Sequence, residues 1–390
     1  MPDDFSLVLG GPLYQILRRA HLSGETLELL RQRLFTLLAV AWLPLLALSA
    51  AEGRALPSAV SVPFLLDFEA NVRFLVALPL LIVAELVVHQ RMRSVVPLFL
   101  DRNLIPSASI PRFEAAVRSS FRLRNSTLIE VLLLAFTYGV GVLLVWRRYI
   151  ALPASTWYGT PTADGGLGLT LAGTWFAYVS LPLFQFLLMR WYFRIFIWVR
   201  FLFQVSRIQL SLIPTHPDRV GGLGFLSGVA FAFVPLAVAH GALLAGPIAD
   251  RIFYAGAALT QFKVLIAVVI GFVLLLVFGP LFIFSAQLMA AKRVGLREYG
   301  TLAERYVRGF DAKWLRGGAP AGESLLGSGD IQSLADLANA FDVVRTMRPA
   351  PLTRDALMQV VGATLAPLVP LLLTMMSLEQ LVKQLFGVIF

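Results

Sequence analysis

The sequence predicts an all-α fold: a polytopic transmembrane helical bundle of about seven spans with amphipathic helices on its cytoplasmic side. Three observations lead there. The chain of 390 residues is 58% hydrophobic and only 14% charged, with a mean hydropathy of +0.76. Its apolar residues gather in runs long enough to cross a hydrocarbon core of ~30 Å, which takes about 20 residues of helix. Of its 33 Lys and Arg residues, 26 fall in alternate segments between those runs, the pattern expected when basic loops resist translocation.

Residues 1–33 read as a cytoplasmic segment in which Leu13, Ile16, Leu17, Leu27, Leu29 and Leu30, set among charged residues, predict short amphipathic helices on the inner leaflet. The first six runs are Leu34 to Ala51, Val72 to Val88, Thr127 to Trp146, Thr170 to Met189, Phe225 to Ala245 and Val264 to Phe284, which make residues 34–286 the bundle. Four basic residues precede the first run, and seven, five and ten follow the second, fourth and sixth. The segments after the first, third and fifth hold one, two and two, with Arg73 just inside the second run, and the tail one, so the N-terminus is expected inside and the C-terminus outside. The loop from Gln90 to Asn125, with seven arginines and three prolines, is expected along the headgroups.

Residues 287–350 read as a cytoplasmic helical segment. Apolar residues at helical spacing predict one amphipathic helix from Leu296 to Trp314, and Gly317 to Gly329 predicts a flexible linker. A second helix, Asp330 to Met347, is expected with Asp330 as N-cap and an apolar stripe of Ile331, Leu334, Leu337, Phe341 and Val344. Residues 351–390 hold the last run, Ala356 to Met376, with Pro367 and Pro370 predicting a kinked or partly re-entrant span, and then an amphipathic tail. Gly165 to Gly168 and Gly221 to Gly224 both read Gly-Gly-Leu-Gly before a span, the trace of an inverted repeat or a coincidence of composition.

Absences narrow the chemistry. With no cysteine, thiolate catalysis and thiolate metal sites are excluded. The net charge of +10 follows from the loop bias, so no nucleic-acid partner is inferred. No phosphate-loop lysine motif, zinc-protease histidine pair or Gly-x-Ser-x-Gly occurs, so no catalytic residue, metal or cofactor is assigned and an enzyme is the less favoured class.

The candidate ligand or ion-pathway residues gather on the inner side. Glu85, late in the second run, and Glu130, early in the third, are carboxylates near the inner boundary and candidate partners of Arg190 or Arg194. Arg190, Arg194, Arg200 and Arg207 share one arc of an aromatic helix, either a snorkelling belt or a positive stripe facing a vestibule. In Pro214-Thr215-His216-Pro217-Asp218-Arg219-Val220-Gly221-Gly222-Leu223-Gly224, prolines end one helix and glycines precede the next. This is a rigid turn capped by Asp218, or a nest in which backbone N–H groups and Arg219 receive an anion. His240, in the fifth run, is a packing residue or a proton relay.

The Thr-His-Pro-Asp-Arg-x-Gly-Gly-Leu-Gly-Phe stretch, with Gly329-Asp330-Ile331-Gln332-Ser333-Leu334-Ala335-Asp336-Leu337 before a proline-containing span, resembles a family of bacterial inner-membrane proteins over roughly the last half of the chain. The resemblance implies a bacterial cytoplasmic membrane and a shared fold; it carries no function.

Function is therefore read from the inner face. The leading expectation is a channel or secondary transporter with a charged cytoplasmic mouth that prefers anions. The alternative is a non-conducting scaffold, in which Leu296–Trp314 and Asp330–Met347 dock a cytoplasmic protein. The third is a membrane-embedded enzyme acting on lipid through His216 and Asp218. The bilayer is the expected partner, and self-association is left open.

Overall fold

A computed structural model describes residues 5–12, 14–15, 30–57, 60–141, 156–161 and 167–375. The expected helices at 16–29, Gly165 and Gly166, the third run beyond Gly141 and the tail lie outside the described residues.

The architecture is all-α. Its helices are α1 (Leu30–Ala51), α2 (Phe68–Asp101), α3 (Ile110–Arg124), α4 (Thr127–Gly141), α5 (Leu171–Ser206), α6 (Leu223–Ala255), α7 (Leu259–Leu315), α8 (Gly329–Arg345) and α9 (Arg354–Leu372). Among the described residues, α1, α2, α5, α6, α7 and α9 are long and apolar enough to cross a membrane, and α4 is a shorter apolar helix. Over the described residues, each of the seven apolar runs falls on one of these helices. A short antiparallel hairpin, β1 (Gly159–Pro161) with β2 (Leu167–Leu169), precedes α5.

The surface inverts the pattern of a water-soluble protein. Leu128, Val131, Leu132 and Phe136 of α4 and Val264, Val268 and Leu275 of α7 are exposed, Leu275 at 70%. Contiguous apolar faces of this kind are rare on soluble monomers and suit contact with lipid.

The hub of the bundle is α6, which packs against α2, α7 and α9. It can do so because its buried face is small: Ala237, Ala239, Gly241, Ala242, Ala245, Gly246 and Ala249. A methyl group on Gly241 would collide with the Thr364 carbonyl of α9, and one on Gly246 would meet the backbone of Glu69 in α2. Small residues at crossings are how helices approach closely where lipid offers no hydrophobic drive to associate.

Prolines explain where the long helices change register. Arg73–Ala77 in α2 and Phe176–Ser180 in α5 are π-helical turns, and Pro79 and Pro182 follow each at the same offset. A proline lacks the N–H for the preceding turn and its ring crowds the carbonyl four residues back, so the turn widens. The two breaks pack together, with the Phe74 ring edge-on to Phe176 at 6.0 Å and Phe184 at 6.4 Å. Pro235, Pro280 and Pro367 likewise mark the 3₁₀ stretches of α6, α7 and α9. The last apolar run forms a helix interrupted at Ala366–Leu368, as far as Leu372.

Four expectations are corrected. The helix expected over Leu296–Trp314 is not separate; it continues α7, whose 57 residues would extend about 85 Å, well past the hydrocarbon. Asp330 is not the N-cap of α8. Ser328 holds that position, and the Asp330 carboxylate instead accepts from Lys313 Nζ and Trp314 Nε1, both at 2.9 Å, clasping α8 to α7. The Gln90–Asn125 loop is largely folded, with Phe113, Ala116, Val117 and Ser120 of α3 buried and α3 packed on α5. The Gly-Gly-Leu-Gly pair is not a structural repeat, because Leu167 and Gly168 lie in β2 while Gly221 and Gly222 form a turn at φ 64° and 100°.

Candidate functional site

Glu85, Arg190 and Arg194 are all buried, at 3%, 6% and 4% exposure. Helical spacing puts Arg190 and Arg194 on one face of α5, one turn apart, turned toward α2 and α4. The Arg194 Nη1 donates to Glu85 Oε1 at 2.6 Å, and Arg33 of α1 donates to the other Glu85 oxygen. Arg190 Nη2 lies 3.2 Å from Glu130 Oε1. The arc of arginines is thus divided. Arg190 and Arg194 are sealed in ion pairs, Arg200 donates to Ser119 of α3 at 2.8 Å, and Arg207 stacks on Phe203 at 4.8 Å.

This charged layer is packed rather than open. The cavity bounded by Arg124, Glu130, Arg190 and Arg194 has a volume of only about 10 Å³. Beside it, Phe5, Phe99, Phe113, Trp198, Phe201 and Phe225 form a continuous aromatic stack with centroid separations of 5.1 to 6.5 Å.

The loop between α5 and α6 resolves the two readings of its glycines. Asp218 Oδ1 accepts from the N–H of Val220 at 2.9 Å and of Gly222 at 3.2 Å, and Oδ2 accepts from Gly224 at 2.8 Å. The nest of backbone donors is filled by the chain's own carboxylate. The positive φ values of Gly221 and Gly222, and of Arg219 at 58°, turn those N–H groups inward. Burial alone would raise the Asp218 carboxyl, but the three backbone donors and His216 outweigh it and hold it below its ordinary 3.8. His216 Nδ1 lies 2.9 Å from Asp218 Oδ1 and 3.2 Å from the Asp218 N–H. One nitrogen cannot both donate and accept, and the shorter contact to a carboxylate favours Nδ1–H as donor.

Outside the filled nest lies an open pocket of about 640 Å³, lined by His216, Asp218, Arg219 and Phe225 together with Arg102 and Arg348. Arg348 ties the loop to the approach to α9, donating from Nη2 to the Asp218 carbonyl at 2.9 Å and from Nη1 to the Leu352 carbonyl. Its Nε is buried with no hydrogen-bond partner among the described residues. Arg102 donates to the Gly222 carbonyl at 3.3 Å and sits 5.2 Å over the Phe225 ring. Three guanidinium groups therefore meet at a pocket whose one lining carboxylate is already engaged by backbone donors.

No protein-family model, curated protein or solved structure matches the chain.

His240 stands apart from this face. Its Nδ1 lies 2.7 Å from the Leu236 carbonyl, which can only accept, so Nδ1 carries the proton and Nε2 accepts from Tyr192 Oη at 2.9 Å. Both ring nitrogens are engaged in packing contacts between α5 and α6.

Of the residues expected at the inner face, the structure brings Glu85, Glu130, Arg190 and Arg194 into one cluster and His216, Asp218, Arg219, Gly221 and Gly222 into one loop. Sequence reasoning missed Arg33, Arg102, Arg124 and Arg348 as members. Each has a partner far away in the chain, Arg348 by 130 residues at Asp218 and Arg124 by 118 at Ser6, so no local spacing could have marked it.

Proposed function

We propose that the chain is a multi-pass protein of a bacterial cytoplasmic membrane, N-terminus inside, that binds an anion at the Arg102–Arg219–Arg348 pocket and moves it by a gated, carrier-like step. The observation that carries this reading is the pocket itself: three guanidinium groups around about 640 Å³, with Asp218 already committed to three backbone N–H groups. Guanidinium groups with free donors suit carboxylate and phosphate. An open channel is disfavoured by the packed charged layer and by the aromatic stack beside it. The inner location rests on the distribution of basic residues. The lipid-enzyme reading weakens because an acid or base at Asp218 would have to abandon its backbone donors.

The test is saturable binding and proteoliposome uptake across a panel of inorganic and organic anions, with the Arg102→Ala/Arg348→Ala double variant alongside. Loss of both activities in a folded double variant supports the reading. Absence of saturable binding and of uptake for every anion in the panel overturns it.

The scaffold reading keeps one observation in its favour. At the far end of the α7–α8 hairpin, Leu302, Val307, Leu315, Leu326 and Ile331 are exposed. The C-terminal part of the α8 stripe is used internally, with Val344 and Phe341 lying against Gly295 and Gly300 of α7, while Ile331 stays exposed. A cytoplasmic protein recovered with the wild-type chain and lost with Leu302→Asp/Leu326→Asp would favour docking at this end.

A further inference from the structure

The segment Phe5–Gly11 has no regular secondary structure, yet Ser6, Leu7 and Val8 are each only 2% exposed. It lies across the charged layer. The Phe5 ring enters the aromatic stack, 5.1 Å from Phe201 and 5.7 Å from Phe121. The Ser6 carbonyl accepts from Arg124 Nη1 at 2.6 Å, and the Ser6 hydroxyl lies 2.9 Å from His89 Nδ1. Gly11 N–H donates to Asn125 Oδ1 at 3.0 Å. Gly10 and Gly11 adopt φ of 139° and 88°, and a side chain on Gly10 would strike Arg124 and Asn125. The two glycines let bare backbone lie against the charged groups.

Beneath the segment, Leu7 and Gly10 close a space otherwise bounded by Arg124, Arg190, Arg194 and Glu130. Three guanidinium groups and one carboxylate line it, and Arg194 is paired with Glu85 on its other side. The Glu130 carboxylate pairs with Arg190, whereas half-buried Arg124 meets only neutral groups among the described residues: the Ser6 carbonyl, Asn125 Oδ1 at 3.1 Å and the face of the Phe121 ring at 4.7 Å, where a guanidinium is best matched by an anion. An irregular strap held by one ring, two aliphatic side chains and a few hydrogen bonds opens at lower free energy than the helices it covers.

We propose that residues 5–11 are a lid over a second anion site formed by Arg124, Arg190 and Arg194, in which the Ser6 carbonyl occupies the place of the anion. The site is distinct from the Arg102–Arg219–Arg348 pocket and takes a small inorganic anion or a carboxylate. When the lid lifts, the Ser6 carbonyl leaves Arg124 and the incoming anion replaces it.

The chain has no cysteine, so a single introduced thiol reports access without background. Ile197 lines the closed space and is 1% exposed. Purified Ile197→Cys protein is labelled with an anionic (sulfonatoethyl) or a cationic (trimethylammonioethyl) methanethiosulfonate, in the full chain and in a chain lacking residues 1–11. The expected result is slow labelling of the full chain, labelling about tenfold or more faster after deletion, and an advantage of about tenfold for the anionic reagent. Unchanged rates in a deletion that stays monodisperse, or equal rates for the two reagents, overturn the proposal. Where the deletion does not fold, Leu7→Cys in the full chain decides. Labelling well below the melting temperature supports a lid, and labelling only on global unfolding overturns it. These rates do not depend on transport, so failure of the pocket reading and failure of the lid are separate outcomes.

Discussion

Glu85→Gln isolates what the buried ion cluster contributes. Glu85 is 3% exposed and its two oxygens receive Arg194 and Arg33, whose side chains are 5% and 3% exposed. At 2.6 Å and an effective dielectric of ~20, one such contact is worth roughly 6 kcal/mol of Coulomb attraction. Desolvation offsets most of this, at several kcal/mol per ion. The net value of the intact cluster is therefore small, while removing its carboxylate strands two buried guanidinium groups and costs about 3–5 kcal/mol. The amide of Gln keeps the shape and loses the charge, so the loss is electrostatic rather than a cavity. Arg33 sharpens the expectation, because its Nε and Nη2 are buried with no partner already. The assay is detergent-solubilised thermal and denaturant unfolding of the wild type, Glu85→Gln, Arg194→Leu and the double variant. A double variant less destabilised than Glu85→Gln alone is expected, since it removes one stranded cation. A Glu85→Gln loss below about 1 kcal/mol, or additive effects in the cycle, would refute the reasoning.

Four further outcomes follow from other parts of the molecule. Asp218→Asn removes a charged acceptor from three backbone N–H groups and should cost about 1–3 kcal/mol by denaturant unfolding. Because the folded Asp218 carboxyl titrates below its ordinary 3.8, its contribution is present above that pH and is lost as pH falls through the folded value; stability of the Asn variant should lack this acid-side decline. Gly241→Val should separate α6 from α9 by driving a side chain into the Thr364 carbonyl, with a loss of about 2 kcal/mol or more and early proteolysis of the α9 end, whereas Gly228→Ala, which meets nothing, should be near neutral. Tyr192→Phe should cost about 1 kcal/mol for one buried hydrogen bond to His240 and leave anion uptake unchanged; a large loss of uptake would restore His240 as a relay.

The apolar runs were legible because hydrophobic length is a local property; among the described residues six of them fall on helices long and apolar enough to cross a membrane, and the run from Thr127 falls on a shorter one. The prolines at 79, 182, 235, 280 and 367 were legible as letters, but not as π or 3₁₀ turns, since that choice depends on what the widened turn packs against. The glutamates announced themselves by their cost in an apolar run, and Arg190 and Arg194 by sharing a helical face with them in reach. Asp330 misled because an Asp before an apolar stripe usually caps a helix; here Lys313 and Trp314, brought close by the hairpin, outcompete the backbone for its carboxylate.

The sequence by itself determined that this chain is helical, that it carries membrane-length apolar segments and that its charge gathers between alternate segments, because these follow from composition and period along one dimension. Tertiary structure alone decided that Asp218 fills its own nest, that Arg102 and Arg348 complete a basic pocket beside it, and that residues 5–11 lie over the Arg190–Glu130 pair. Those outcomes depend on which distant donor reaches a given acceptor first, and in a low-dielectric interior the nearest satisfied pairing wins over anything local spacing can foretell.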